Sequence, residues 1–225
     1  MSTSAHGSSY RPTARRPIAD AFRRTASGAV DLCIRRNVHP DIVSWSSLIA
    51  ASVAAACFIG ARWQPWLLVV APLACYLRLW LNMLDGMVAL ASGRASKRGE
   101  IVNELPDRIS DILIFAAVAH SSFVTLPALG YWAALLAVMT AYVGMLGQAV
   151  GTRREFGGVM AKPMRMVVLH GGAWATFAVL CARHDASFIA GFTPLDVACF
   201  IVVLGCLQTC IVRLRSTFRI LEKES

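Results

Sequence analysis

Apolar residues gather in six stretches, at about 43–60, 66–90, 101–122, 130–150, 165–183 and 194–213, each near the ~20 residues that a helix needs to cross a bilayer. Turn formers separate them: Pro65, then Gly93 and Gly99, Pro127, Gly157 and Gly158 with Pro163, and Gly191 with Pro194. The pattern predicts an all-α integral membrane protein with six transmembrane helices. Ahead of them, Ile18, Phe22, Val30, Cys33 and Ile34 roughly follow helical spacing, and Arg23, Arg24, Arg35 and Arg36 dominate the polar side. A basic amphipathic helix over 18–40, lying in the headgroup plane, fits that spacing. Residues 1–17 are rich in Ser, Pro and Arg without an apolar run, the composition of a disordered leader. The stretch is Arg-rich and acid-poor, yet no small-residue cleavage site precedes a short apolar core, so a cytoplasmic leader is preferred to a transit peptide. The membrane domain is then 41–213, followed by a basic cytoplasmic tail over 214–225.

Composition supports this division. Of 225 residues 56% are hydrophobic and only 16% charged, against about 45–50% and about 25% in soluble domains. Net charge is +9, which in a soluble protein would suggest nucleic acid. Here positive-inside loops and anionic lipid headgroups account for it, and no nucleic-acid partner is expected. With both termini inside, the inner segments hold Arg11, Arg15, Arg16, Arg23, Arg24, Arg35 and Arg36; Arg94, Lys97 and Arg98; Arg153, Arg154, Lys162 and Arg165; and Arg213, Arg215, Arg219 and Lys223. Only Arg62 and Arg183 fall outside, while Arg78 and Arg108 lie within spans. Both termini are therefore expected to be cytoplasmic. The seven cysteines sit in or beside apolar stretches without paired spacing and are read as small buried residues.

Charged residues in a spanning helix cost several kcal/mol, so they call for a function or a partner. They collect on the second and third segments. Arg78, Asn82, Asp85 and Ala89 are spaced 4, 3 and 4 along one helical stripe, and Asn103, Asp107 and Asp111 are spaced 4 and 4, with Glu104 beside them. The two helices are joined by a short basic loop, so their polar ends meet at the cytoplasmic side. Oxygen ligands converging from two helices suit Mg²⁺ or Mn²⁺. A metal-free interhelical polar patch would show the same spacing.

The residues Asn82-Met-Leu-Asp85-Gly86-Met-Val-Ala89-Leu90 and Gly99-Glu-Ile-Val-Asn103-Glu-Leu-Pro-Asp107 resemble the CDP-alcohol phosphotransferase family, whose pattern is D-x2-D-G-x2-A-R-x8-G-x3-D-x3-D. Every interval is kept, and Asp85, Gly86, Ala89, Gly99 and Asp107 match. Asn82 and Asn103 replace aspartates, and Leu90 replaces arginine. These substitutions resemble a variant branch, as does Arg154-Glu-Phe-Gly157-Gly158-Val-Met160-Ala-Lys162. The resemblance implies transfer of a substituted phosphate from a CDP-alcohol, such as CDP-diacylglycerol, to an acceptor alcohol with release of CMP. It places Asn82, Asp85, Asn103 and Asp107 at metal-ligand positions, with Asp107 also deprotonating the acceptor. Gly86, Ala89 and Gly99 would line the nucleotide pocket. A homodimer is also implied.

The departures matter, because an amide oxygen can ligate Mg²⁺ but does not compensate its charge. One metal, or a weakly held second, is expected, with Glu104 and Asp111 as candidates to restore charge, and Asp111 as a further metal ligand. Arg94, one turn beyond Leu90, is the nearest substitute phosphate contact. Arg78 and Asp111 are expected to approach as a buried pair; as a functional alternative, Arg78 would contact phosphate or headgroup. Arg154 and Lys162 are candidates for binding acceptor or phosphate, although positive-inside charge alone explains the count. His120, His170 and His184 lack a second ligand at useful spacing. Two other functions stand against the phosphotransferase: a catalytically weak or silent homologue that binds nucleotide or lipid, and a small transporter. The polar cluster occurs only once, which speaks against the repeats common in transporters.

Overall fold

The computed structural model describes residues 19–224, with side chains from Ala26 to Lys223. Seven helices follow in order: α1 Ala19–Arg35, α2 Pro40–Gly60, α3 Leu67–Ala91, α4 Lys97–Ala119, α5 Pro127–Ala149, α6 Lys162–Arg183 and α7 Pro194–Glu224. Proline opens the first turn of α2, α5 and α6 and is the first residue of α7, a position whose N–H has no helical partner. The α3–α4 connection turns through Gly93 at φ +69, a conformation that a side chain would strain. Among the described residues there is no strand, only an isolated antiparallel bridge between Ile189 and Phe192.

Five of the helices, α2, α3, α5, α6 and α7, are long and apolar enough to cross a membrane. α4 matches them in length, but its first half carries Lys97, Arg98, Glu100, Glu104, Asp107 and Arg108. α7 continues without a break to Glu224, so the residues set apart as a basic tail extend the last span. The leader, 1–17, lies outside the described residues. So do Ile18 and the side chains of Phe22, Arg23 and Arg24.

α2 is the hub. Its Ala50, Ala51, Ala54 and Ala55 are buried, and such small residues let neighbouring backbones approach closely. Both α3 and α4 make their main contacts with α2 rather than with each other. α5 packs on α4 and α7, and α6 on α7 and α3. At the other end Asp196, in the first turn of α7, accepts hydrogen bonds from the backbone N–H of Thr125 (2.9 Å) and Thr193 (3.0 Å) and from the Thr125 hydroxyl (2.9 Å). That clasp fixes the start of α7 against the turn before α5.

α1 seats Ala26 and Val30 on Leu84 and Val88 of α3, with Cys33 packed alongside. Ile34, assigned to the same apolar face, is instead exposed. The buried stripe runs through 26, 30 and 33, at intervals of four and three, and Ile34 falls to its edge.

Candidate active site

The splay between α3 and α4 is bridged by polar side chains at every turn. The Asn82 Nδ2 donates to Asn103 Oδ1 (2.7 Å), and Asn103 Nδ2 donates to Asp85 Oδ1 (3.1 Å). Asp85 Oδ2 accepts from the Ser44 hydroxyl of α2 at 2.5 Å. At the other end of this chain the Lys162 ammonium, on the first turn of α6, bridges Asn82 Oδ1 and Asp107 Oδ2. All four motif positions therefore belong to one hydrogen-bonded network running from Ser44 to Asp107. Asp85 and Asp107 are both nearly buried. Pro106, just before Asp107, lies inside α4 and has no N–H to close the helical bond to Val102.

One layer further from the loop, arginines surround the remaining acid. Arg78 is fully buried and donates through Nη2 to Asp111 Oδ1 (3.1 Å), Asp107 Oδ1 (3.2 Å) and the Asp107 carbonyl (2.9 Å). Arg165 Nη2 donates to Asp111 Oδ2 at 2.7 Å, and Arg108 lies 3.8 Å from the same oxygen. The expected Arg78–Asp111 pair is present. Asp111 is fully buried with both oxygens on guanidinium groups, the place of a counter-ion. Arg78 is enclosed with its two acids and does not reach a ligand surface. Glu104 does not restore charge either: its Oε1 accepts from Arg108 and Arg154, each at 2.7 Å.

A cavity of about 480 Å³ opens beside Asp85 and Asn103, walled by Gly86, Ala89, Leu90, Arg94, Gly99 and Arg154. All four residues expected at the nucleotide and diphosphate are thus on its wall. A Cβ on Gly86 would meet nothing within 4 Å, so its contribution is open volume rather than close packing. Arg94 is steadied by a 2.7 Å bond from Nη2 to Asn37 Oδ1. Sequence reasoning missed Ser44, together with His39, Pro40 and Asp41, which also line the cavity. The only signal was a cluster of serines at 44, 46 and 47 in the first turns of an apolar helix.

Lys162 arrives by way of a loop fixed to α7. Gly157 carbonyl accepts from Arg213 Nε (3.0 Å), Val159 N–H donates to Gln208 (3.2 Å), and Met160 N–H donates to Thr209 Oγ1 (2.9 Å). Gly158 sits at φ +97, where an added Cβ would lie 2.7 Å from the Thr209 Cα. Only glycine fits both constraints. Lys162 was expected at the acceptor or phosphate; the structure puts it among the motif amides and Asp107, while Arg154 stays at the cavity wall.

Two carboxylates and two amide oxygens form a hard oxygen donor set compatible with one divalent cation. Among the described residues no three His, Cys, Asp or Glu side chains gather as a metal site, so amides would have to complete the coordination. The seven cysteines are free, four of them buried and Cys181 exposed.

The fold is a bundle of long apolar helices with a polar cavity beside α3 and α4. Crystal structures of the Mycobacterium tuberculosis phosphatidylinositol phosphate synthase share it. The structure with CDP-DAG bound gives a TM-score of 0.70 at 19% identity, over 87% of this chain and 94% of that one. The complex with manganese and citrate gives 0.70 at 18%, over 86% and 88%. At such identities the likeness establishes the fold. In sequence, the chain is 36% identical over 106 residues to the phosphatidylinositol phosphate synthase of Cutibacterium acnes, covering 46% of this chain and 42% of that protein. It is 30% identical over 116 residues to the Escherichia coli inner membrane protein YnbA, covering 49% and 54%. The Mycobacterium marinum phosphatidylinositol phosphate synthase matches over 201 residues at 27%, 86% of this chain and 80% of that protein. No family model matches. In sequence the chain is thus similar to phosphatidylinositol phosphate synthases, and its long apolar helices make it a multi-pass membrane protein. The matched region spans about half the length of the first two relatives named.

Proposed function

We propose that this protein transfers a substituted phosphate, phosphatidyl in the first instance, from a CDP-alcohol such as CDP-diacylglycerol to an acceptor alcohol, releasing CMP. The observation that carries this reading is the single network joining Asp85 to Asp107 beside a cavity walled by Gly86, Ala89, Gly99 and Arg94. The open volume over Gly86 suits the cytidine. Arg94 and Arg154 suit the diphosphate, guanidinium groups being matched to phosphate oxygens. In the reaction the acceptor oxygen attacks the phosphorus that carries the lipid, the phosphorus–oxygen bond to CMP breaks, and CMP leaves with that electron pair. Asp107 takes the acceptor's proton, since it is the last motif carboxylate and its Oδ2 faces the network. Asp85, Asp107 and the oxygens of Asn82 and Asn103 would hold Mg²⁺ or Mn²⁺, which supplies charge neutralisation and polarises the phosphorus. Ser44 holds Asp85 in place.

The cytoplasmic disposition of both termini, from the distribution of basic residues, belongs to the same proposal, as does the homodimer implied by family resemblance. Purified protein mixed with CDP-diacylglycerol, Mg²⁺ or Mn²⁺ and a panel of alcohols, phosphorylated and not, tests the activity. CMP release with at least one acceptor is expected. Folded protein that releases none with any acceptor or cation would instead be a silent binder.

A further inference from the structure

We propose that Lys162 is a built-in cation, its ammonium group occupying the place of a second metal ion, so that the site takes no more than one divalent ion. The inference rests on the proposed function for the identity of the site. It starts from charge. In the family pattern four carboxylates would occupy the positions of Asn82, Asp85, Asn103 and Asp107; here two do. The acids that could make up the difference are committed elsewhere, Glu104 to Arg108 and Arg154, and Asp111 to Arg78 and Arg165. The Lys162 ammonium sits between Asn82 Oδ1 and Asp107 Oδ2, the first and last positions of the motif. Two carboxylates and one ammonium leave a single negative charge. One divalent ion turns that to a single positive charge, which a diphosphate can neutralise; a second ion would leave three.

The surroundings hold Lys162 there. It lies on the first turn of α6, delivered by the loop bonded to Gln208, Thr209 and Arg213 of α7. An ammonium has three N–H donors. Asn82 and Asp107 take two. A fixed ammonium can thus offset charge on the diphosphate without itself being lost to chelators. The amide at Asn82 suits this arrangement better than an aspartate would, because its oxygen accepts from the ammonium while its Nδ2 donates onward to Asn103.

Counting Mn²⁺ bound to the purified full chain in detergent, without substrate, by electron paramagnetic resonance of the free ion tests this apart from turnover. The wild type is expected to bind at most one ion per chain. Lys162→Met should bind Mn²⁺ about 10-fold tighter or more, through loss of a nearby like charge. The triple variant Asn82→Asp, Asn103→Asp, Lys162→Met should bind two. Two ions in the wild type would overturn the proposal, as would a triple variant that binds no more than the wild type. Size-exclusion and thermal unfolding check that each variant is folded. Should the triple variant not fold, Lys162→Met against the charge-retaining Lys162→Arg decides: tighter binding by the first alone upholds the proposal, and equal binding by both overturns it. Failure of CMP release with the expected ion counts would remove the enzymatic reading and leave the ion count standing.

Discussion

Asp107 is held from two sides by cations, Arg78 at Oδ1 and Lys162 at Oδ2. Replacing it with asparagine keeps the shape and removes the base. CMP release by Asp107→Asn should fall by about 10²–10⁴-fold. Ser44 acts through another residue, Asp85, whose Oδ2 it contacts at 2.5 Å. Ser44→Ala should lower CMP release by about 10-fold, the loss expected when a charged group forfeits one hydrogen bond; Ser44→Thr should restore most of it. Equal rates for wild type and Ser44→Ala would show that Asp85 needs no such support. That Asp85 and Asp107 lie on facing stripes of α3 and α4 was legible in their spacing, while the roles proposed for them come from the family resemblance. The role of Ser44 was not legible, because a serine in an apolar helix commonly bonds its own backbone, as Ser46 does to Ile42 at 2.8 Å.

At the scale of helices, the arginines around Asp111 tie α3, α4 and α6 together. Removing the shared acid leaves Arg78 and Arg165 buried without their counter-ion. Asp111→Leu should therefore destabilise the bundle by about 3–5 kcal/mol, read as a lower unfolding temperature in detergent. Asp111→Asn, with its shape kept, should weaken Mn²⁺ binding less than Asp85→Asn does, through loss of a nearby charge rather than of a ligand; an equal loss would return Asp111 to the ligand set. Gly158→Ala, at φ +97 and against Thr209, should cost about 1–3 kcal/mol and lower CMP release through displacement of the loop that carries Lys162. The helices themselves follow from apolar runs and from prolines at their starts, and these could be read along the chain. Which carboxylate meets which cation could not: Asp107 and Asp111 lie one turn apart on α4, and only the placement of α6 assigns Lys162 to the first and Arg165 to the second. Lys162 belonged to a basic loop whose charge had a sufficient explanation in topology alone.

For the whole molecule, the sequence supports an arrangement with its basic ends on one side of the membrane. A reporter enzyme active only in the cytoplasm, fused after Ser225, should be active; silence there, with activity for fusions in the 184–193 connection, would invert the topology. α7 spans 31 residues, about 46 Å at 1.5 Å per residue, against a hydrocarbon core of about 30 Å. Its far portion grips the approach to Lys162 through Gln208, Thr209 and Arg213, and its near end is clasped by Asp196 to the opposite surface. Bilayer thickness thereby gains a mechanical route to the chemistry. A thicker or thinner lipid host would tilt this long rod and carry the ammonium toward or away from its amide and acid neighbours, making turnover sensitive to acyl-chain length even when the headgroups are the same.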